Sequence, residues 1–173
     1  TYSRRRSDLV AQTGFFYDIR DNLITAKAAI EAGSTFDDVR DEALANYLLN
    51  WEKSNYATVI YYCNAAKKQI TDANNLDDGP LKEAALGDAL HAYAEGVGFS
   101  HGFRGISNKM ITDAEIDGIL SLLKAPAGQT PESYRFLNEP ALLADLQTII
   151  DDIQAIYGFT DEEVTSYFVN NNP

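Results

Sequence analysis

Between Gly33 and Gly79 the chain contains neither glycine nor proline. Apolar residues recur there at Phe36, Val39, Ala43, Leu44, Leu48, Trp51, Val59, Tyr62 and Ala66. Without a breaker, and with that spacing, the segment can only be a long helix. A first helix is expected before it, from about Ser7 to Ala32, because Leu9, Gln12, Phe16, Ile19, Leu23, Ala26 and Ile30 alternate between three- and four-residue steps. Gly33 is a natural stop, and Ser34 with Asp37 resembles a capping box. So short a joint makes the two helices antiparallel neighbours.

The stretch from Pro80 to Arg104 is expected to be the helix on which the others converge. Gly79-Pro80 suits a helix start, and the many Ala and Gly residues beyond it allow close approach of neighbouring backbones. Leu90 and Tyr93 are therefore expected to be more buried than any residue from Asp72 to Asp78, where Asp and Asn mark a loop running from 71 to 80. The acidic residues of that loop lack the spacing of an EF-hand, and no glutamate stands where its bidentate ligand belongs. Ser54 and Asn55 interrupt the apolar stripe among Trp51, Tyr56, Tyr61 and Tyr62; the rings suit either a ligand pocket or the gaps between helices.

Downstream, Gly102 and Gly105 turn the chain. Thr112 with Glu115 and Thr160 with Glu163 form capping boxes that open two short helices. Between them, Leu142, Leu143, Leu146, Ile149, Ile150, Ile153, Ile156 and Tyr157 follow Pro140 as the strongest amphipathic pattern in the chain. Gly158 ends it, and residues 170–173 read as a frayed or truncated tail. No segment reads as a strand. The fold class expected is all-α, one helical-bundle domain over residues 1–173, with four long helices and two shorter ones.

The 173 residues carry 26 acidic against 14 basic side chains, for a net charge of -12, which disfavours nucleic acid and anionic membranes as partners. No apolar run reaches the ~20 residues of a transmembrane helix. The lone Cys63 reads as a small buried residue, and the Arg4-Arg5-Arg6 run as a solvated helix start or a processing site. The chain lacks an initiator methionine and is expected to be a processed or truncated piece of a larger protein.

One cluster suggests chemistry. Asp88, His91 and Glu95 stand three and four residues apart, so they share a helix face and form a candidate metal site. A carboxylate-bridged di-iron centre would need a second Glu-x-x-His, which the two histidines, His91 and His101, do not supply. The competing expectation is that His91 and Glu95 are buried and hydrogen-bond to protein groups, such as a Tyr or Asn of the second helix. Ser100-His101 are chain neighbours, a poor arrangement for nucleophile and base, and there is no Gly-x-Ser-x-Gly, His-Glu-x-x-His or phosphate loop. No catalytic residue is assigned.

The run His91-Ala-Tyr-Ala-Glu95-Gly-Val-Gly-Phe-Ser-His-Gly-Phe-Arg104, preceded by Trp51-Glu-Lys-Ser-Asn-Tyr, resembles an uncharacterised domain family of bacterial envelope lipoproteins, itself loosely similar to imelysin-like proteins. The resemblance spans roughly residues 1–137 and implies that the chain is the C-terminal part of a larger protein. It implies an imelysin-like helical fold, a periplasmic or outer-membrane location and a link to iron or metal uptake, with His91 and Glu95 as the positions that map. Gly87 and Glu95 each lie four residues from His91, which departs from the imelysin spacing, so peptidase activity does not carry over. The function expected is a non-enzymatic binding or accessory protein whose partner is a protein or small ligand of the envelope. No cofactor is expected beyond a divalent or iron metal. The alternatives are a metal-dependent hydrolase using His91 and Glu95, and a purely structural interaction module.

Overall fold

The computed structural model describes residues 2–171. It is all-α in class, with eight helices: α1 (Tyr2–Arg5), α2 (Phe15–Ala32), α3 (Asp37–Asn74), α4 (Pro80–Ser100), α5 (Asp113–Leu122), α6 (Arg135–Asn138), α7 (Leu143–Tyr157) and α8 (Asp161–Tyr167). Two-residue strands, β1 (Ser7–Asp8) and β2 (Thr13–Gly14), pair antiparallel ahead of α2.

That small hairpin corrects the expected first helix, which starts at Phe15 rather than Ser7. The Asp8 carboxylate accepts from the backbone N–H groups of Val10 and Ala11, both at 2.8 Å, a side-chain turn that competes with helix. Gln12 and Gly14 then take positive φ of 58° and 96°. A Cβ on Gly14 would stand 3.2 Å from the Ser7 Cα, so glycine suits the close strand pair. Ser7 Oγ accepts from the Phe16 N–H at 2.9 Å and so satisfies a donor in the first turn of α2.

The breaker-free segment is, as its sequence requires, one helix. α3 runs for 38 residues, ~57 Å at ~1.5 Å per residue. It begins after a 3-10 turn at Ser34–Phe36, and neither that turn nor α3 has a side-chain cap, so the Ser34/Asp37 box does not form. The boxes at Thr112/Glu115 and Thr160/Glu163 do form, each with both reciprocal hydrogen bonds.

The helix on which the others converge is α3, not α4. It touches α1, α2, α4, α7 and α8, and its residues Tyr56, Ala57, Val59, Ile60, Cys63, Ala66 and Ile70 are buried. α4 lays one face on it, with Ala89, Ala92, Gly96 and Ser100 buried and Leu81 exposed, while Tyr93 is buried toward the end of α5, donating to the Leu123 carbonyl at 2.8 Å and meeting the Phe136 ring. The small residues of α4 therefore mark a single close contact, with a Cβ on Gly96 falling 3.5 Å from the Tyr62 Cβ. Because α3 continues through Asn74, Ala73 is fully buried in its last turn, while Leu90 is only half-buried; the expected ranking of those positions fails there. α7 supplies Leu146, Ile149, Ile150, Ile153 and Tyr157 to the core as its pattern predicts, and left-handed Gly158 caps it.

The two ends of the described chain meet. While Arg4 is exposed, Arg6 is buried, correcting the solvated reading of the arginine run at that position. Its guanidinium donates to the Tyr167 and Val169 carbonyls at 2.5 and 2.8 Å and to Asn170 Oδ1, and lies 4.4 Å from the centre of the Tyr61 ring. A cation there satisfies carbonyls at and just beyond the end of α8. Burial lowers the Arg6 pKa to about 10, leaving it charged at neutral pH. Asn171 donates its N–H to the Arg5 carbonyl at 3.2 Å, so 170 and 171 are held rather than frayed; 172 and 173 lie outside the described residues.

Candidate binding groove

α2, the first half of α3 and the end of α4 enclose a trough of about 690 Å³. Phe16, Ile19 and Leu23 form its α2 wall, Tyr47 and Trp51 its α3 wall, and Tyr2 with Phe99 its inner end. Arg20, Ser3, Ser54 and Asn55 bring polar groups to its lining. The rings are coupled: Tyr47 and Trp51 lie 5.8 Å apart, Trp51 meets the Phe103 ring edge-on at 6.1 Å, and Tyr2 meets Phe99 edge-on at 4.6 Å. The aromatics around Ser54 and Asn55 divide between two settings. Tyr56 and Tyr62 fill space between helices, while Trp51 is 52% exposed at the trough.

Asn55 separates this trough from a shallower depression of about 440 Å³ lined by His91, Ala94, Glu95, Gly98 and Gly102. Asn55 Nδ2 donates to the Phe99 carbonyl at 2.9 Å, at the end of α4 where intrahelical donors run out. A Cβ on Gly102 would stand 2.7 Å from Asn55 Oδ1 and 3.1 Å from the Phe99 carbonyl oxygen, so only glycine allows this contact. The glycine-broken exit of α4 is thus the place where α4 is pinned to α3.

The structure brings His91 and Glu95 together on α4, with Nε2 and Oε1 3.8 Å apart. It does not bury them: His91 is 76% exposed and Glu95 about a third, at 32%. The reason is that α4 turns only one face to α3, and these residues lie on its flank. The second-helix groups expected to meet them are engaged elsewhere, Asn55 with Phe99, and Tyr56 through its hydroxyl with the Ser100 carbonyl at 3.2 Å. Asp88 is exposed. Among the described residues, no three His, Cys, Asp or Glu side chains gather closely enough to hold a metal ion, so Asp88 does not complete a ligand set with the pair. The Ser100 hydroxyl is buried and donates to the Gly96 carbonyl at 2.8 Å, facing away from exposed His101 as a chemical partner.

Sequence reasoning missed Glu52. Its side chain is 1% exposed, accepts from the N–H groups of Met110 and Ile111 at 2.8 Å each, and receives the Tyr157 hydroxyl at 2.7 Å. Three donors from two distant segments offset the cost of burying a carboxylate. Burial and the adjacent carboxylate push the Tyr157 phenol pKa up, so it stays a donor. Nothing local marks Glu52, which sits between Trp51 and Lys53 in an exposed-looking sequence; its partners lie 58 to 105 residues away. Cys63, expected to be buried, is, and burial pushes its thiol up to about 12.

No family model, curated protein or solved structure matches this chain. No helix among the described residues is long and apolar enough to cross a membrane.

Proposed function

We propose that the chain is a non-enzymatic binding or accessory protein of the cell envelope, and that its contact surface is the groove between α2, α3 and α4. The observation that carries the binding reading is the composition of the trough: walls that are mostly apolar and aromatic and open to solvent, with a few hydrogen-bonding groups among the residues that line it. Such a surface recognises apolar groups and orients them by a few polar contacts. The envelope address and the link to iron or metal uptake rest on the sequence resemblance. Trp51 is the only tryptophan in the chain and stands in the α3 wall, so it reports occupancy directly. Titrating the protein, diluted below about 1 µM, with anilinonaphthalene sulfonate should quench Trp51 by energy transfer, and Phe99→Ala with Leu23→Asp should abolish the effect. Absence of dye binding by the folded protein would favour the purely structural interaction module.

One observation favours the metal-dependent hydrolase as a second reading, the adjacency of His91 and Glu95 at the rim of the shallower depression. Peptide hydrolysis that requires added zinc or iron and disappears in His91→Ala would overturn the non-enzymatic assignment.

A further inference from the structure

The outer part of the α2–α3 pair is a hairpin without a cover. Its inter-helix contact is made of small side chains, Ala26, Ala29 and Ala43, which are buried. Large apolar residues that the sequence writes as helix seams instead face solvent: Leu23 is 51% exposed, Ile30 62% and Leu44 41%. Leu23 and Ile30 are seven residues apart on α2, and Leu44 and Trp51 seven apart on α3, so each pair forms a stripe along its helix. Leu23 and Trp51 line the same trough, which places both stripes on one side of the hairpin. The apolar arc of each helix is wide enough for two neighbours, and along this outer stretch the described residues supply one. Two helices with such a shared face are half of a four-helix bundle.

The charges beside the stripes identify what supplies the other half. On α2, Lys27 stands four residues beyond Leu23 and three before Ile30, and Arg20 three before Leu23, so both cations border that stripe. On α3, Asp41 stands three before Leu44 and Asp37 seven before it, so both carboxylates border the other. Glu31 pairs with Lys27 on the first edge, and Arg40, four before Leu44, binds both Asp37 and Asp41 on the second, so the α2 edge is net positive and the α3 edge net negative rather than each of one sign. We propose that a second copy of the chain covers this face, with the two hairpins related by a two-fold axis parallel to their helices. That operation sets α2 of each copy over α3 of its partner, so unlike edges meet on both sides. A two-fold across the helices would instead set α2 on α2, with its cations opposed. Because α2 ends at Ala32 where α3 begins at Asp37, equal steps back along the hairpin bring Lys27 level with residues 41–42. Lys27 therefore faces Asp41 of the other copy, twice per dimer. Their present partners, Glu31 at 3.7 Å and Arg40 at 2.8 Å, form exposed pairs that rearrange at little cost.

This proposal rests on the binding reading of the groove and names the occupant of its outer part. Sedimentation of the full chain from about 1 µM to about 100 µM should show a monomer giving way to a dimer. Leu44→Asp, at an exposed position, should keep the circular dichroism spectrum and the dye binding of the monomer and lose the dimer. Lys27→Glu and Asp41→Lys should each weaken association about tenfold or more, and the doubly reversed protein should recover it. A wild-type chain that stays monomeric, a dimer indifferent to Leu44→Asp, or a double reversal no better than the single ones overturns the two-fold pairing. A monomer that still binds the dye overturns this pairing and leaves the groove reading intact; one that binds neither overturns both.

Discussion

The two halves of α3 share one unbroken helix and differ in everything that surrounds it. From Glu52 to Cys63 the helix is buried on most sides, and on to Ala73 it keeps one buried face at Ala66, Ile70 and Ala73, with α4, α7 and α8 packed against this half. From Asp37 to Trp51 only Ala43 is buried, and α2 is the sole long neighbour along most of that length. Both halves carry apolar residues at helical spacing. What separates them is the number of helices the chain folds back onto each, so an apolar stripe records where a helix expects company without saying who provides it.

The contrast is sharpened most by removing the carboxylate at the start of the enclosed half. Glu52→Ala would strand the Met110 and Ile111 N–H groups and the Tyr157 hydroxyl in the interior, and we expect a loss of ~3–5 kcal/mol in urea unfolding. Glu52→Gln, which keeps acceptor capacity, should cost less. A loss below ~1 kcal/mol for the alanine variant would mean that the loop before α5 is not held through this residue.

Paired truncations compare the halves directly. Ile60→Ala, at a fully buried position, should cost ~2–5 kcal/mol. Leu44→Ala, measured at a dilution that keeps the chain monomeric, should cost under ~1 kcal/mol, because its side chain already meets water. Equal costs would erase the distinction.

Alkali should attack the enclosed half. Burial raises the phenols of Tyr56, Tyr157 and Tyr167, and pushes Tyr93 up to about 12. The folded state then holds protons that the unfolded chain releases above pH ~10, so stability is full below that pH and falls as pH rises toward the folded values. Denaturant midpoints taken from neutral pH to about 12 should decline, and Tyr157→Phe should flatten the decline by removing one such group. A midpoint independent of pH would contradict the burial of these rings. The smallest effect belongs to His91→Ala, expected within ~0.5 kcal/mol of wild type in thermal melts, because the side chain is exposed and the pair with Glu95 is long.

Legibility in the sequence followed the range of the interactions in most places, the local Ser34/Asp37 box and the Asp8 turn being the exceptions. Capping boxes at Thr112 and Thr160, the left-handed Gly158 and the unbroken α3 are decided within a few residues, and all could be read. The α2 start could not, since it depends on Asp8 and Gly14 outcompeting a helical pattern that Leu9 and Gln12 continue. The small residues of α4 signalled close packing correctly but not its centrality, because Ala and Gly look alike whether a helix is surrounded or laid against one neighbour. At the candidate site, the His91–Glu95 pair was legible from its spacing, and its exposure was not. The groove itself is assembled from α1, α2, α3 and α4, so only Trp51 and Asn55 carried a local hint of it.

The Arg6 clasp bears on the order in which the molecule assembles. Its contacts with Tyr167, Val169 and Asn170 span 161 to 164 residues, whereas α2 with α3, and α3 with α4, meet across short connections. Closing a loop costs ~0.6 kcal/mol more for each doubling of its length, and an end-to-end contact gains least when formed before the segments between are in place. The clasp is therefore expected to close after the α2–α3–α4 layer has formed and to open ahead of it. In rate measurements an Arg6→Met substitution should accelerate unfolding while leaving the refolding rate nearly unchanged, so that the ends set how long the native state lasts rather than how quickly it is reached.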